Sequence, residues 1–463
     1  MQPHPSSGSR RVAVIGGGWA GCAAAVHLAR AGAAVTVYEQ SMQLGGRARS
    51  VTSDGLVLDN GAHLLIGAYR ATLELIAFLH GGRSRAQLFH ELPLTVRPFG
   101  RPRGITLVAT GSRYAPWHLV GGMLSAQGVG WAERWSMVRL LRALARQDVR
   151  HTDGSVEERF GPDSSTLYNE LWAPLCLAAL NTPPGRASSR VFRNVLRAAL
   201  CGPASDSRFW VPKAGLSALL PEPAERFVTE HRGMVQRGTR VRSIETSDDA
   251  VHVTTSTQRN TSTQRDGFDA AIIAVAPHQL AKLDVAPACA SWEHTRRAVR
   301  SLSYESINTV HLGYTRAPMQ AVIERLDDTP AQWLFNGGAR EIAGESLQLL
   351  SAVISANGPH DALPQRELAL AVDAQLRRLS VDVGALRFSR VFAERRATYA
   401  CTPHMQRPRA GRVAHRLHLA GDYTHPDLPA TLEAAVQSGR EAGASALDEL
   451  AALRVRAIPA SRP

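Results

Sequence analysis

Three glycines near the start of the chain have the spacing of a phosphate-binding turn. Gly16, Gly18 and Gly21 form a G-x-G-x-x-G pattern, with Gly17 and Ala20 between them, at the point where a helix should follow a short apolar strand. In such a turn the first glycine permits the bend, the second lets a pyrophosphate approach the backbone, and the third lets the helix pack on the strand. Unpaired N–H groups and the helix dipole favour phosphate there. The pattern predicts a phosphate-bearing ligand.

A carboxylate further along the chain extends this prediction to a dinucleotide. Glu39, followed by Gln40, closes a second predicted strand over residues 33–38, and it lies 18 positions beyond Gly21. An acid at that position accepts hydrogen bonds from the ribose hydroxyls of an adenosine. Strand, glycine turn, small-residue helix and terminal acid occur in register, which is more specific than the glycines alone. The sequence therefore predicts a βαβ unit that binds an adenine dinucleotide.

The segment after the acid resembles the second fingerprint of the FAD-binding amine oxidase and phytoene desaturase superfamily. It reads L-G-G-R-A-R and contains Gly45, Gly46 and Arg47. In that superfamily the glycines let the loop pass close to the flavin diphosphate, and the arginine lies nearby. The resemblance implies that the dinucleotide is FAD, because NAD dehydrogenases have no need of this extension.

The run D-N-G-A-H, which ends at His63, is the next segment of the resemblance. In flavoproteins of this type such a segment runs beside the isoalloxazine ring, which implies contacts from Asn60, Gly61 and Ala62. His63 is then a candidate general acid, because an imidazole with a pKa of about 6.5 can hold a proton near neutrality at modest cost. The alternative is a histidine that only hydrogen-bonds the backbone. Tyr423, just after a later Gly-Asp pair, is the second candidate.

Two further segments complete the flavin fingerprints. A G-x-x-V element resembles the one that offers backbone to the adenine, and it implies a contact from Val241. A strand ending in Gly421-Asp422 precedes a helix that begins near Thr431 and Leu432, and this arrangement resembles the third flavin signature of the superfamily. The resemblance implies that the aspartate binds groups near the ribityl chain or pyrophosphate, and that the helix directs N–H groups at the flavin.

Three longer runs narrow the resemblance to one family. They are L-W-A-P-L-C-L-A-A-L-N-T-P-P from residue 171, Y-E-S-I-N-T-V-H-L-G-Y from residue 304, and the Gly-Asp segment through residue 439. Together they resemble the squalene-associated, FAD-dependent hydroxysqualene dehydroxylases of bacterial hopanoid biosynthesis, over residues 11–450. The resemblance implies a long apolar isoprenoid substrate and reductive removal of the hydroxyl of hydroxysqualene. The sequence has no second G-x-G-x-x-G, so the electrons must come from an external reductant or an electron-donor protein.

Other functions stay open at the level of sequence. A flavin amine oxidase would share the fold, but such enzymes commonly use a lysine near the flavin, and the only lysines are Lys213 and Lys282. A carotenoid desaturase of the phytoene type would run the flavin oxidatively on a similar polyene. A prenyl-binding module of the GDI type would share the fold without a working flavin, and the intact fingerprints argue against it.

The elements that must position these residues predict an α/β fold with two interleaved parts. A Rossmann-type FAD-binding domain is expected in three pieces, residues 10–90, 213–285 and 405–452. The two excursions between them predict an α+β substrate domain, with an antiparallel sheet and helices, over residues 91–212 and 286–404. The remaining ends read as flexible tails, residues 1–9 and 453–463.

Several segments within these parts have predictable secondary structure. Residues 235–245 read as a β-hairpin that turns at Gly238. Residues 269–277 are a continuous apolar run, which suits an interior strand of a parallel sheet. The second excursion predicts one helix and four strands, at residues 364–379 and at residues 307–314, 332–335, 347–355 and 388–399.

Residues 114–150 read as helical, and they carry both tryptophans and arginines. The tryptophans are Trp117, Trp131 and Trp135, and one side carries Arg139, Arg142, Arg146 and Arg150. A basic, tryptophan-bearing amphipathic helix can lie in a membrane interface, and peripheral contact with a bilayer is therefore predicted. The alternative is an ordinary helix with one face on the core and one in solvent.

Bulk composition excludes several classes of function. The net charge is +13, but 51 of the 53 basic residues are arginines scattered along all 463 residues, so no nucleic-acid partner is predicted. Five separated cysteines without a C-x-x-C predict neither a disulfide framework nor a metal site, and they suit the reducing cytoplasm.

The N-terminal segment also imitates an export signal, because Arg10-Arg11 precedes an apolar stretch and an A-R-A site. Cleavage there would destroy the dinucleotide unit. A cytoplasmic protein, with contact at the inner face of the membrane, is therefore expected.

Overall fold

The computed structural model describes residues 10–53, 55–100, 104–109, 117–146, 152–161, 165–257, 263–319, 321–327, 329–380 and 382–457. Its strands are β1 (Arg11–Ile15), β2 (Ala34–Tyr38), β3 (Ser50–Ser53), β4 (Leu56–Asp59), β5 (Leu65–Ile66), β6 (Phe89–Leu92), β7 (Thr95–Val96), β8 (Leu107–Val108), β9 (Phe209–Pro212), β10 (Met234–Gln236), β11 (Thr239–Thr246), β12 (Val251–Thr257), β13 (Thr263–Phe268), β14 (Ala270–Ile273), β15 (Asp284–Ala286), β16 (Tyr304–Tyr314), β17 (Ile323–Arg325), β18 (Trp333–Ile342), β19 (Glu345–Ser355), β20 (Leu386–Tyr399), β21 (Gly411–Ala414) and β22 (Leu417–Leu419).

Its α-helices are α1 (Trp19–Arg30), α2 (Arg70–Leu79), α3 (Arg85–Leu88), α4 (Trp117–Leu124), α5 (Trp131–Ala145), α6 (Val156–Phe160), α7 (Ser165–Leu167), α8 (Ala173–Leu180), α9 (Ser189–Leu200), α10 (Leu216–Leu219), α11 (Pro221–Glu230), α12 (Pro277–Leu280), α13 (Ala290–Arg300), α14 (Gln365–Leu379) and α15 (Leu432–Ala457). A π-helical turn, Tyr168–Trp172, leads directly into α8. Among the described helices, none combines the length and the apolar character needed to cross a bilayer.

A six-stranded sheet in the order β10-β2-β1-β14-β22-β21 forms the centre of the part that is predicted to bind a dinucleotide. The first five strands are parallel, and β21 is antiparallel to β22. Every residue of β14 is buried, as expected for an interior parallel strand whose two faces are covered. The carboxyl ends of β1, β2 and β14 therefore lie at one edge of the sheet, where ligands bind in folds of this type.

Helices α1 and α15 pack against each other beside this sheet, and small residues allow their close approach. The middle of α1 is formed by Cys22, Ala23, Ala24 and Ala25, all buried. A side chain at Gly439 of α15 would place its Cβ 2.2 Å from the carbonyl oxygen of Ala20, so only glycine fits at the crossing. This contact joins the first and last parts of the chain.

A second sheet, in the order β17-β18-β19-β16-β20, is antiparallel throughout. Its residues alternate between two faces, as strand geometry requires. On one face Leu312, Leu334 and Ile354 pack in a core cluster with Val372 and Leu376 of α14. The other face is turned towards the cavity described below. The α/β fold with an antiparallel sheet in its second part is the one that the sequence predicts.

Two details of the predicted secondary structure are wrong. Strand β10 joins the central sheet beside β2, whereas β11 pairs with β12 and β15, so residues 235–245 do not form a hairpin. Strand β11 belongs to a separate four-stranded sheet in the order β13-β12-β11-β15. The chain leaves the central sheet for this one at Gly238, which has a left-handed backbone with φ +64°. The spacing of the two short strands matched a hairpin, but each strand finds a different partner elsewhere in the chain.

The predicted helix over residues 114–150 is interrupted between α4 and α5. Gln127 and Thr106 exchange backbone hydrogen bonds of 3.0 and 3.2 Å, and Gly128 has φ +79°. A Cβ at Gly128 would lie 2.3 Å from the carbonyl oxygen of Gly104, so glycine is required where these segments cross. Residues 114–116 and 147–150 lie outside the described residues.

Candidate active site

The glycine turn between β1 and α1 has one open position and two closed ones. A Cβ added at Gly16 would lie 2.7 Å from the carbonyl oxygen of Ala274. A Cβ added at Gly21 would lie 1.9 Å from the carbonyl oxygen of Gly16. At Gly18, by contrast, no described atom lies within 4 Å of such a Cβ. Gly18 is also the N-cap of α1 and has no side chain with which to cap it. The turn therefore presents an open cradle beside the N–H groups of a helix N-terminus.

The carboxylate of Glu39 is held at the end of β2 by two backbone N–H groups. Gly17 donates to Oε2 and Ser41 donates to Oε1, both at 2.8 Å. The side chain is buried, yet it lines the cavity together with Gln40. Each oxygen has a second lone pair, so the carboxylate can still accept hydrogen bonds from hydroxyls of a ligand.

The second fingerprint lies directly against the glycine turn. Gly45 donates its N–H to the carbonyl oxygen of Gly17 at 2.8 Å, and Gly45 forms a parallel bridge with Gly18. Both Gly45 and Gly46 have positive φ angles, +106° and +58°, and a Cβ at Gly46 would lie 3.2 Å from the Cα of Gly18. The two glycine-rich loops thus form one continuous backbone surface.

Arg47 connects this surface to the C-terminal fingerprint. One guanidinium nitrogen donates to both carboxylate oxygens of Asp422 at 2.8 Å, and another donates to the carbonyl oxygen of Ala397 in β20 at 2.7 Å. The side chain of Asp422 is 9% exposed and that of Arg47 is 30% exposed. A charge-assisted pair of this kind fixes the relative positions of the second fingerprint, the last fingerprint and the second sheet.

His63 lies in a loop that is tied to the second fingerprint. Asn60 accepts from the N–H of Arg49 at 3.0 Å and donates to the carbonyl oxygen of Arg47 at 2.9 Å. His63 lines the cavity, and its Nδ1 lies 2.8 Å from the carbonyl oxygen of Gly61, so Nδ1 carries the proton that this bond needs. Nε2 is the ring nitrogen left for a ligand.

Burial lowers the pKa of His63, although the bond to Gly61 opposes that effect. The ring is therefore neutral at neutral pH. The protonated form costs more than the modest amount that the sequence suggested, because a charged imidazole loses hydration inside the protein.

Tyr423, the second candidate donor, does not line the cavity. Its side chain is completely buried behind Gly421, and its hydroxyl donates to the carbonyl oxygen of Val275 at 3.2 Å. Burial, reinforced by the charge of Asp422, raises the pKa of this hydroxyl. Of the two candidate proton donors, His63 lies at the cavity wall, whereas the hydroxyl proton of Tyr423 is held by the backbone.

The structure brings most of the expected residues around one cavity of about 1180 Å³. Its wall includes Gly16, Gly18, Ala20, Glu39, Gln40, Gly45, Gly46, Arg47, Asn60, Gly61, Ala62, His63, Val241, Gly421, Asp422, Thr431 and Leu432. Gly17 and Gly21 are absent from the wall and act behind it, because Gly17 donates to Glu39 and Gly21 lets α1 approach Gly16.

Some residues of the wall at this end escaped the sequence reasoning. Ala274, Val275 and Ala276 follow β14 directly, and Thr239 and Arg240 begin β11. The segment 269–277 was predicted as a buried strand returning to the sheet. Its carboxyl end could have been placed beside the glycine turn by the rule that ligands bind at that edge. Thr239 and Arg240 are the two middle residues of the G-x-x-V element, from which only Val241 was named as a contact.

Away from the glycine turns the same cavity continues into an apolar arm. Helices contribute one side of the arm, with Leu119, Met123, Met137, Leu175, Phe192 and Leu196. The second sheet contributes the facing side, with Ile307, Ile323, Trp333, Phe335 and Val353. These sheet residues occupy the face opposite α14, because strand side chains alternate. The arm suits a long apolar ligand.

The polar end of the cavity fits an adenine dinucleotide. The open position at Gly18 and the uncapped α1 suit a pyrophosphate, and the carboxylate of Glu39 suits ribose hydroxyls. The cavity is larger than the roughly 300–1,000 Å³ of a site for one drug-sized ligand. Its polar end and its apolar arm offer two different environments within one space.

Comparisons with known proteins agree with this geometry. The model of a family described as flavin containing amine oxidoreductase matches residues 19–447. Hydroxysqualene dehydroxylase of Rhodopseudomonas palustris is 31% identical over 94% of this chain and 97% of its own length. The protein of the same name from Sinorhizobium fredii is 29% identical over 95% of this chain and 99% of its own.

Solved structures show the same fold at lower identity. An oxidoreductase from Methanosarcina mazei has a TM-score of 0.70 at 14% identity and covers 95% of this chain and 100% of its own. Cyclohexylamine oxidase from Brevibacterium oxydans has a TM-score of 0.67 at 16% identity, with 96% and 100% covered. The family model and the identity to hydroxysqualene dehydroxylases, rather than these folds, show that the chain belongs to the flavin-containing amine oxidoreductases and is an FAD-dependent oxidoreductase.

Proposed function

We propose that the protein removes the hydroxyl of hydroxysqualene reductively and releases squalene. The observation that carries this proposal is the joining of a dinucleotide-type site and an apolar arm in a single cavity. An arm bordered by aliphatic and aromatic side chains on both sides suits a long hydrocarbon with one polar group. The relatives named hydroxysqualene dehydroxylase support this choice of substrate.

The proposed reaction breaks the carbon–oxygen bond and forms a carbon–hydrogen bond. The oxygen takes up a proton and leaves as water, and the carbon receives a hydride, so two electrons are consumed in each turnover. When bound, reduced FAD supplies this hydride equivalent. The proposed holding residues are those of the polar wall, with the pyrophosphate at Gly18 and the ribose at Glu39. An external reductant or an electron-donor protein restores the electrons.

The chain's own contribution to the chemistry is a proton at Nε2 of His63. Because Nδ1 is hydrogen-bonded to the carbonyl oxygen of Gly61, a proton taken up by His63, which lines the cavity, is held at Nε2. The lowered pKa makes the imidazolium scarce at neutral pH but a stronger acid once it forms. His63 is proposed to protonate the departing oxygen, while the apolar arm keeps bulk water away.

The alternative chemistries make different demands on the same cavity. Lys213, one of the two lysines available for an amine oxidase mechanism, donates to the carbonyl oxygen of Ala86 at 2.6 Å and is absent from the cavity wall. Lys282 lines the cavity but is exposed. A carotenoid desaturase would use the same apolar arm with oxidised instead of reduced flavin, so the direction of electron flow separates it from the proposal.

The protein is further proposed to act in the cytoplasm, in peripheral contact with the inner face of the membrane. A C30 alcohol partitions into lipid, so an enzyme that consumes it gains by meeting it there. The basic, tryptophan-bearing helix α5 is the element that favours such contact.

The decisive experiment is a paired turnover assay on the purified flavoprotein. Hydroxysqualene and phytoene are each offered to enzyme that has been chemically reduced or left oxidised. The proposal expects squalene from hydroxysqualene with the reduced enzyme alone. Desaturation of phytoene by the oxidised enzyme, without formation of squalene, would instead establish the desaturase alternative.

A matched pair of variants tests the apolar arm in the same assay. Ala179 of α8 lines the cavity, so Ala179→Trp should fill the arm and abolish turnover while FAD stays bound. Ala451 is an exposed residue of α15, and Ala451→Trp is the control. Equal turnover by the two variants would contradict the assignment of the arm as the substrate site.

A further inference from the structure

The exposed tryptophans of the described chain are concentrated on two neighbouring helices. Trp117 of α4 and Trp131 and Trp135 of α5 are 66%, 67% and 51% exposed. The other five tryptophans are buried or partly buried. Tryptophan is costly to expose to water, but at a lipid interface its ring is favourable, because one end is apolar and the other can form hydrogen bonds. Three exposed rings on two neighbouring helices set this part of the surface apart from the rest of the described chain.

The same side of α5 carries arginines beyond the tryptophans. At 3.6 residues per turn, Trp131, Trp135, Arg139, Arg142 and Arg146 fall within an arc of about 80°. The three arginines are exposed, and in the part of the chain that the structure describes none of them forms an ion pair with an acidic side chain. We refer to these five residues and Trp117 as the Trp-Arg surface. Its charge is unbalanced and positive.

The opposite sides of both helices reach the apolar arm of the cavity. Leu119 and Met123 of α4 and Met137 of α5 are at most 5% exposed, and all three line the arm. Val138, Leu141 and Leu144 complete the buried side of α5. One layer of helix therefore separates the Trp-Arg surface from the place where an apolar substrate would lie. An ordinary solvated helix face needs neither the tryptophans nor this position.

We propose that the Trp-Arg surface is the site at which the protein lies on an anionic lipid bilayer, and that substrate enters the arm from that bilayer. Arginine binds phosphate groups and tryptophan occupies the headgroup level, so both residue types of the surface match the same partner. A protein partner would need acidic residues and an apolar socket for each ring, whereas a bilayer supplies headgroup phosphate and apolar depth everywhere. The entry of substrate, though not the binding of lipid, depends on the function proposed above.

The proposal is tested by flotation of the FAD-loaded protein with vesicles. Vesicles of phosphatidylcholine with 30% phosphatidylglycerol, roughly the charge of an anionic leaflet, are compared with vesicles of phosphatidylcholine alone. The test variant replaces Arg139, Arg142 and Arg146 by glutamine. Its control replaces Arg297, Arg340 and Arg366, which are exposed elsewhere, so the net charge falls by the same amount.

The wild-type protein and the control should float with the anionic vesicles, and the test variant should bind on the order of 100-fold more weakly. Each basic side chain at an anionic surface contributes about 1 kcal/mol, or about fivefold in affinity, so three such factors multiplied together give a loss on the order of 100-fold. Binding should also weaken with salt, because surface charges are screened over about 8 Å at physiological ionic strength. Replacing Trp117, Trp131 and Trp135 together by alanine should remove the shift of tryptophan fluorescence to shorter wavelength that accompanies binding.

Equal flotation of the test variant and its control, or no flotation of the wild-type protein, would overturn the lipid surface. Turnover then separates this proposal from the proposed function. Hydroxysqualene delivered in detergent micelles should be consumed equally by the wild-type protein and the test variant, and delivered in vesicles it should be consumed much more slowly by the variant. Lipid binding without turnover in either preparation would refute the reaction and leave the surface standing.

Discussion

Replacing Gly18 by leucine should give a folded protein that cannot hold FAD. The backbone at Gly18, with φ −71° and ψ 179°, is open to any residue, and no described atom lies within 4 Å of a new Cβ. The substitution should therefore cost only about 0.5 kcal/mol of stability, as expected for an unfavourable residue at an N-cap. The new side chain fills the cradle that the pyrophosphate needs.

The loss of affinity can be worked out from the hydrogen bonds that the cradle offers. Displacing a phosphate from two N–H groups at the start of α1 forfeits about 1.5–3 kcal/mol for each charge-assisted bond. The total of roughly 3–6 kcal/mol corresponds to about 10²–10⁴-fold weaker binding. Flavin absorbance per protein measures retention, and added FAD at about 100 times its Kd should stabilise the wild type by about 2.7 kcal/mol but not the variant.

Gly130 provides a matched control. It is the N-cap of α5, with φ −78° and ψ 178°, but it lies outside the cavity wall. Gly130→Leu should retain a full flavin content and the stabilisation by FAD. If Gly18→Leu purified with as much flavin as this control, the phosphate cradle would have been assigned to the wrong place.

Three other perturbations have defined outcomes. His63→Ala should keep FAD and lose on the order of 10²-fold or more in turnover, and near-normal turnover of this variant would remove His63 from the chemistry. Because burial lowers the pKa of His63, wild-type kcat/KM should rise as pH falls, with its midpoint below about 6.5. Asp422→Asn breaks the ion pair with Arg47 and should cost on the order of 3 kcal/mol in urea unfolding, with loss of flavin, and an unchanged midpoint would contradict the pair's structural role. Burial alone would raise the pKa of Glu449, but hydrogen bonds from His418 and from a backbone N–H lower it to about 2. Glu449 thus contributes stability above pH 4.5 that is lost as pH falls towards 2, and Glu449→Gln should remove this part of the pH dependence of unfolding, which an identical pH profile would disprove.

The parts of the site that the sequence reveals are those whose geometry is local. The bend at Gly16, the open position at Gly18 and the acid at Glu39 follow from one βαβ unit, in which spacing along the chain sets spacing in the fold. The alternation of the second sheet is local in the same sense. For this reason the fold class and the glycine turn with its acid were accessible from residue types and spacing, whereas the rest of the polar wall was expected from the resemblance to a known family.

The parts that the sequence conceals depend on partners far along the chain. Gly238 marks a turn, but the turn cannot show that its two strands belong to different sheets. Tyr423 adjoins Asp422, yet only the packing around Gly421 sends its ring away from the cavity. The environment of His63 is likewise tertiary, so its lowered pKa could not be read from the motif.

Arg47 and Asp422 are 375 positions apart, so the order of synthesis matters for the cofactor. The chain leaves the ribosome from its N-terminus, and the glycine turn exists long before Asp422, Thr431 and α15. Until α15 arrives, the apolar side of α1 is uncovered and the guanidinium of Arg47 lacks its carboxylate. Flavin should therefore bind only after translation of α15. A chain that ends before α15 should be colourless and should leave the apolar side of α1 exposed to solvent. In a cell, bound flavin and its yellow colour would therefore identify chains that have been synthesised through α15.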